Sequence, residues 1–335
     1  IPMLTPFELE GLATDVDNDN LTYNWEQYDL GEGEPLGENY ETGPLFVSVL
    51  PNSSGTRLFP NLSIINSGVG SILERLPEVS RELNFKLTVR DNVALIGGHD
   101  IASYTFNATD QAGPFRFTFP NITVDTSFLT GQYVEFTWDV ANTNLPPVDC
   151  KAVNIILSTT DGLTWSDTLV ANTPNDGREF VMLPKTTSRA RFKIKGADNI
   201  FLDISPKTIK VKQPATPGYS LDILPHDVML CKNSTTSLRV KSVAWRNYEH
   251  LIQLIVLDSG HPDLIVKPSK ATFLPGEAVA LNLDATTKDL TGDFEVKLMS
   301  IAEKGDTLFR SIYVSINDDD QVVPGFNSPE AHSQN

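Results

Sequence analysis

Val134-Glu135-Phe136-Thr137-Trp138-Asp139-Val140 decides the fold class. Val134, Phe136, Trp138 and Val140 share one face, and Glu135, Thr137 and Asp139 share the other, the period-two alternation of a half-buried strand. Outward from it, Phe115–Phe119 precedes as a strand, and Val153, Ile155 and Leu157 repeat the alternation. Asp161-Gly162 supplies the positive-φ pair that a tight hairpin turn needs, and Asn175-Asp176-Gly177 a second turn before Phe180–Leu183. In Arg189–Lys195 the cations take one face and Ala190, Phe192 and Ile194 the other. Strands near Phe201–Ile204 and Ile209–Lys212 complete about seven short strands in roughly 100 residues, the spacing of an immunoglobulin- or fibronectin-like sandwich. The expected fold class is therefore all-β, with three tandem immunoglobulin/fibronectin-like β-sandwich modules at 1–111, 113–213 and 218–317.

The 335 residues are enough for two or three cores. A 40% hydrophobic and 21% charged composition is ordinary for a folded soluble chain. The formal net charge of −17 repels phosphate backbones, so no nucleic-acid partner is expected. No apolar run reaches the roughly 18–20 residues of a membrane-spanning helix, so no membrane span is expected either. The chain opens Ile1-Pro2 without a charged leader, and both ends read as cuts through a longer protein. Cys150 and Cys231 fall in different expected modules; they read as small buried hydrophobes, with an inter-module bridge as the alternative.

The first module holds the richest oxygen cluster, Asp15-Val16-Asp17-Asn18-Asp19-Asn20, between the alternating runs Phe7–Gly11 and Leu21–Glu26. Asp15, Asp17 and Asp19 at i, i+2 and i+4 can converge on one hard cation, which makes them candidate calcium ligands. Asn20 stands where an EF-hand loop has Gly, and the flanks are strands; the alternative reading is a solvated turn. Asp29–Gly43 reads as a long exposed loop, and 51–80 as an irregular excursion with one or two short strands. Leu83–Val89 and Ile101–Ala108 form a hairpin through Gly97-Gly98, and Trp25 reads as a core residue.

In the second module Ser158-Thr159-Thr160-Asp161-Gly162-Leu163-Thr164-Trp165 resembles an Asp-box hairpin. It has Thr160 at the acidic position and occurs once, whereas propellers repeat their blades, so it reads as a plain hairpin with a packed Trp165. Pro214–Gly218 is a stiff linker. The third module contains Leu238–Lys241, a nearly all-apolar Leu251–Leu257 expected at the centre of its sheet, Val279–Leu283 after a Pro275-Gly276 turn, and a final hairpin of Phe294–Leu298 with Leu308–Ile316. Residues 318–335, with Asp318-Asp319-Asp320 and Pro324, read as a linker to a following domain, where calcium could also stiffen the junction.

The sequence contains no His-Glu-x-x-His helix, Gly-x-Ser-x-Gly elbow or phosphate-binding Gly loop, and its five histidines are scattered singly. Asn-x-Ser/Thr sequons occur at Asn20, Asn52, Asn61, Asn107, Asn121 and Asn233 and matter only for a eukaryotic source. The run Phe7-Glu8-Leu9 … Asp15–Asp19 … Leu21–Asp29, with Gly113-Pro114-Phe115, Thr137–Thr143, Asn172–Gly177 and Asn199–Ser205, resembles the region that follows the catalytic domain in secreted reprolysin-like zinc metalloproteases of Bacteroidota. The resemblance covers 1–212 well and the third module loosely. It implies type IX secretion, a secreted or cell-surface location, and zinc only in a catalytic domain upstream of this chain, so no catalytic residue is assigned here. It also makes Thr168 and Thr307, within Asp167-Thr168-Leu169 and Asp306-Thr307-Leu308, candidate acceptors of Bacteroidota O-glycosylation. Two functions follow: a non-catalytic stalk whose partners are other domains of the same chain, or a structural or adhesive subunit of a surface fibre. The second would bind proteins, glycans or copies of itself through edge strands.

Overall fold

The computed structural model describes residues 1–31, 41–120, 127–287, 290–303 and 307–318. The chain divides into two compact units, one of 1–130 and 134–213, the other of 131–133 and Pro214 onward. The first unit contains β1 (Phe7–Glu10), β2 (Thr22–Gln27), β3 (Thr56–Phe59), a six-residue helix α1 (Leu62–Ser67), β4 (Arg81–Arg90) and β5 (His99–Ala108). It continues through β6 (Arg116–Phe119), β7 (Ser127–Leu129), β8 (Tyr133–Asp139), β9 (Ala152–Ser158), β10 (Asp167–Pro174), β11 (Arg178–Met182), β12 (Thr187–Gly196), β13 (Leu202–Ile204) and β14 (Ile209–Lys212). No helix of the described residues is long and apolar enough to cross a membrane.

The sheets are arranged as two sandwiches. In the first, β1-β3 belongs with β2-β4-β5; in the second, β11-β8-β6 belongs with β10-β9-β12-β14-β7, with β13 added to β12. The expected strands are all present within a residue or two, and Asp161 and Gly162 adopt the positive φ their turn requires, 63° and 86°. The all-β, sandwich-type class is what the chain adopts. The boundary expected between 1–111 and 113–213, however, crosses a continuous hydrophobic cluster that runs from Phe7 and Phe85 to Phe136 and Val211.

Phe7 explains the continuity. Its ring stacks on Phe59 at 5.0 Å and meets Phe46, Phe85 and Phe106 edge-on at 5.5, 5.8 and 5.2 Å. Such pairs add about 0.5–1.5 kcal/mol each to area burial. The backbone of β1 pairs with β3 on one side and bridges Phe201 of the second sandwich on the other. Gly55 permits one tight approach here: a Cβ there would stand 1.9 Å from the Gly11 carbonyl oxygen. Trp25, buried as expected, donates its indole N–H to the Gly55 carbonyl at 3.0 Å.

The second unit contains β15 (Gly218–Leu224), β16 (Asp227–Cys231), β17 (Thr235–Trp245), β18 (Ile252–Asp258), β19 (Ile265–Pro268), β20 (Thr272–Phe273), β21 (Val279–Asp284), β22 (Gly292–Ala302) and β23 (Thr307–Asn317). Its sheets are β15-β17-β21-β19 and β16-β23-β22-β18-β20, around a core of its own. The final hairpin β22–β23 is as expected. The apolar β18 is not central: it lies between β22 and the two-residue β20, and its outer end leaves Leu257 half exposed because nothing continues alongside it. In the second sandwich and in the second unit an early short strand pairs parallel with the last one, β7 with β14 and β16 with β23. Cys150 and Cys231 are free thiols; Cys150 is buried and Cys231 exposed. Of the expected linker 318–335, residues 319–335 lie outside the described residues, as does the centre of the Asp29–Gly43 loop.

Asp203 on β13 ties the two sheets of the second sandwich together by accepting the Phe117 N–H of β6 at 2.7 Å. The residue keeps some exposed surface, but its carboxyl is turned inward, and burial pushes its pKa up to about 7 against the backbone bonds from Phe117 and Ile204. A raised acid pKa means that the folded state prefers the proton. The stability this brings is full below about pH 4 and is lost as pH rises to about 7. Asp203→Asn retains an acceptor for Phe117 and removes the charge. The variant is expected to unfold at higher urea than the parent chain at pH 8, with a flatter dependence between pH 5 and pH 8. A lower midpoint for the variant at pH 8 would contradict the assignment.

Candidate functional site

Two clusters of charge are built by this fold. The first is the Asp15–Asp19 loop between β1 and β2. The carboxylate oxygens of Asp15, Asp17 and Asp19 all lie within 4.8 Å of one another, the one such group of three or more metal-ligating side chains among the described residues. The loop closes on itself: one Asp15 oxygen accepts the N–H of Asp17 at 2.9 Å and of Asp19 at 3.0 Å, and Asn18 takes a left-handed conformation with φ 62°. Partial desolvation, then the charges of Asp15, Asp17 and Asp91, hold the Asp19 carboxyl above its ordinary pKa. Three clustered acids of this kind are a hard-oxygen donor set that fits a divalent cation and not a soft metal.

The β4–β5 connection supports this loop. Asn92 donates to the Asn20 carbonyl at 2.9 Å and accepts from the Thr22 hydroxyl at 3.1 Å. Asp91 is held below its ordinary pKa by the Gly98 and Val93 N–H groups. Val16, Leu95 and Ile96 on these two loops are almost fully exposed.

The second cluster is buried. Glu8, on the face of β1 opposite Phe7, receives the Lys193 ammonium at 3.2 and 3.1 Å and the Lys195 ammonium at 3.2 Å, and Lys195 reaches Glu10 at 2.8 Å. The side chains of Lys193 and Glu8 are only 5% and 8% exposed, so this pair has left water almost entirely. Burial lowers the Lys193 pKa despite the attraction of Glu8. For Lys195 burial acts in the same sense, but its bond to Glu10 and the two carboxylates outweigh it and raise the pKa. The Lys193 ammonium also lies 4.8 Å from the ring centre of Trp165, so the Asp-box-like hairpin packs on the same cluster.

The sequence placed Glu8 and Glu10, and likewise Lys193 and Lys195, on polar strand faces, and those faces look toward each other. The usable signal was the matching i, i+2 spacing of opposite charges on two strands. Of the candidate glycosylation residues, Thr168 is exposed on β10 and Thr307 is exposed at the start of β23. Asp167, next to Thr168, is held below its ordinary pKa by its bond to Lys185 at 2.6 Å. Asp306 and the Asp319-Asp320 pair lie outside the described residues.

No family model and no curated protein matches the chain. Solved structures similar to it include fibronectin(III)-like modules of Clostridium thermocellum CbhA (9% identity, 64% of this chain and 100% of that one, TM-score 0.22). Domains 4 and 5 of the S-layer protein SbsC match at 13% identity over 54% of this chain and 82% of that one, with a TM-score of 0.23. Drosophila N-cadherin EC1-4 matches at 12% identity over 95% and 72%, with a TM-score of 0.22. The fold assignment rests on the sheet order and register above.

The buried cluster makes a specific prediction. Removing one partner of a buried ion pair typically costs about 3–5 kcal/mol, whereas apolar replacement of the pair is often neutral or better. Because Lys195 still faces Glu8, Lys193→Met is expected near the lower end, about 3 kcal/mol by urea unfolding. Adding Glu8→Gln should recover most of that loss. Strictly additive losses in the double variant would show that the two side chains are not coupled.

Proposed function

We propose that the chain is a non-catalytic, immunoglobulin-like extracellular segment of a secreted metalloprotease-like protein, which follows the catalytic domain and spaces or presents it. The observation that supports this reading is the union of the first two sandwiches. A spacer transmits orientation only if its modules cannot swivel, and here a shared aromatic core and a buried Glu8–Lys193 contact join them into one body. The likeness of 1–212 to the region after reprolysin-like catalytic domains names the domain being presented. On the same reading, the location is secreted or cell-surface, export follows the type IX route, and Thr168 and Thr307 carry O-linked glycans.

Calcium is assigned to the Asp15–Asp17–Asp19 loop, where a divalent cation would offset the repulsion among three carboxylates that lie within 4.8 Å of one another. Calcium takes six to eight oxygens, so backbone carbonyls and water would complete the set. Calorimetric titration of the chain with calcium is expected to give a saturable isotherm, lost in Asp15→Asn/Asp17→Asn. A flat titration of the parent chain leaves the loop as a solvated turn.

The spacer reading is tested by assaying the purified chain for zinc-dependent peptide hydrolysis and by measuring its mass at high concentration with light scattering. No turnover and a monomer are expected. Turnover would make the chain an enzyme, and an ordered polymer would favour the fibre subunit instead.

A further inference from the structure

Among the described residues, no strand pairs with 99–105 of β5 on the side away from β4. Strand β5 runs ten residues beside β4 in unbroken register, from Arg81↔Ala108 to Arg90↔His99, with no bulge, no proline and no lysine. Residues 99–105 are all exposed, including Ile101 at 52% and Tyr104 at 43%. Edges of this kind are normally blunted, because their free N–H and C=O groups accept another strand. The parity of the free groups follows from the backbone hydrogen bonds of β4. The Asn84 carbonyl is directed to Tyr28 on the β2 side, so odd-numbered residues of β5 turn their backbone groups away from β4. Consistent with that, the Ile101 N–H is met by the Asp100 carboxylate of its own strand at 2.8 Å.

One end of this edge is already in use. Ile1–Met3 lies along it in parallel: Ile1 N donates to the Asn107 carbonyl at 2.6 Å, Thr109 N to the Ile1 carbonyl at 3.0 Å, and Met3 N to the Thr109 carbonyl at 2.9 Å. Pro2 and Thr109 form a parallel bridge. Extended backwards in the same direction, a strand leading into Ile1 would meet in turn the outward groups of Thr105, Ser103, Ile101 and His99. That span, His99 to Thr105, is seven residues of β5, about 23 Å at roughly 3.3 Å per residue.

We propose that the edge of β5 is the docking site for the polypeptide that leads into Ile1 in the parent protein, which adds to the β2-β4-β5 sheet as a parallel strand. The inference rests on the reading of this chain as a segment that follows another domain. Its consequence is mechanical: the catalytic domain would be held by a strand built into the first sandwich, and not by a loose tether. Continuity with an existing ladder selects this occupant over a second copy, since a copy would have to stop short of Asn107 where Ile1 already sits.

The test compares amide hydrogen exchange in the full-length parent and in the chain beginning at Ile1. Peptides spanning 99–107 should exchange about tenfold more slowly or better in the parent, while those of β2 and β4 stay unchanged. Ser103→Pro, whose lost N–H points away from β4, should leave the shorter chain folded and abolish that protection in the parent. Equal exchange in both proteins, with a domain present upstream, overturns the docking and leaves the spacer reading intact. If the secreted protein begins at Ile1 by mass spectrometry, both fall. Protection of the shorter chain that grows with concentration would place a second copy on the edge and overturn the proposal.

Discussion

The first unit depends on one constraint: β1 is buried on both faces from Phe7 to Leu9. Phe7 and Leu9 enter the aromatic core, Glu8 turns the other way and is nevertheless buried, and the backbone is paired on both edges. A carboxylate so placed cannot stay charged without a partner, since its desolvation cost is several kcal/mol. Lys193 and Lys195 meet it, and they can do so only if β12 of the second sandwich lies against β1 of the first. The ionic contact is a weak source of net stability. It is a strong specifier of arrangement, because any other docking of the two sandwiches would leave the buried charges of Glu8 and Lys193 unmatched.

That role also explains how much of the structure was legible in the sequence. Alternation depends on near neighbours, so strands such as Val134–Val140 and turns such as Asp161-Gly162 could be read from a few residues. What covers a polar face cannot, because Glu8 and Lys193 are 185 residues apart and each pattern is satisfied equally by water. The expected boundary falls at Gly113-Pro114, where the backbone does turn sharply: Gly113 has φ +106° and leaves room where a Cβ would lie 2.2 Å from the Met3 carbonyl oxygen. A break in pattern marks a change of sheet here, not a change of core. For β18 the error ran the other way, since an apolar run was read as a central strand although burial is fixed by what lies on both sides of it.

The candidate cation loop was legible for the opposite reason. Asp15, Asp17 and Asp19 are contiguous, and their convergence needs no distant partner, only a turn that Asn18 closes by going left-handed. The sequence could not show that β4 and β5 would bring Asp91 and Asn92 beside it. Nor could it show that Val16, Leu95 and Ile96 would stand exposed on the same pair of loops.

The treatment of strand edges separates β5 from β10, β19 and β20. β10 carries two register shifts and ends at Pro174, β19 ends at Pro268, and β20 is two residues long, each a device that discourages a further strand. β5 has none of these three over ten residues, and its one acidic side chain, Asp100, meets only the Ile101 N–H among the described residues. An edge left open among edges that are closed is consistent with a surface that is covered when the protein does its work. The cover need supply only backbone groups in the parallel sense that Ile1–Met3 has already begun, and no side-chain code on β5 is required for it.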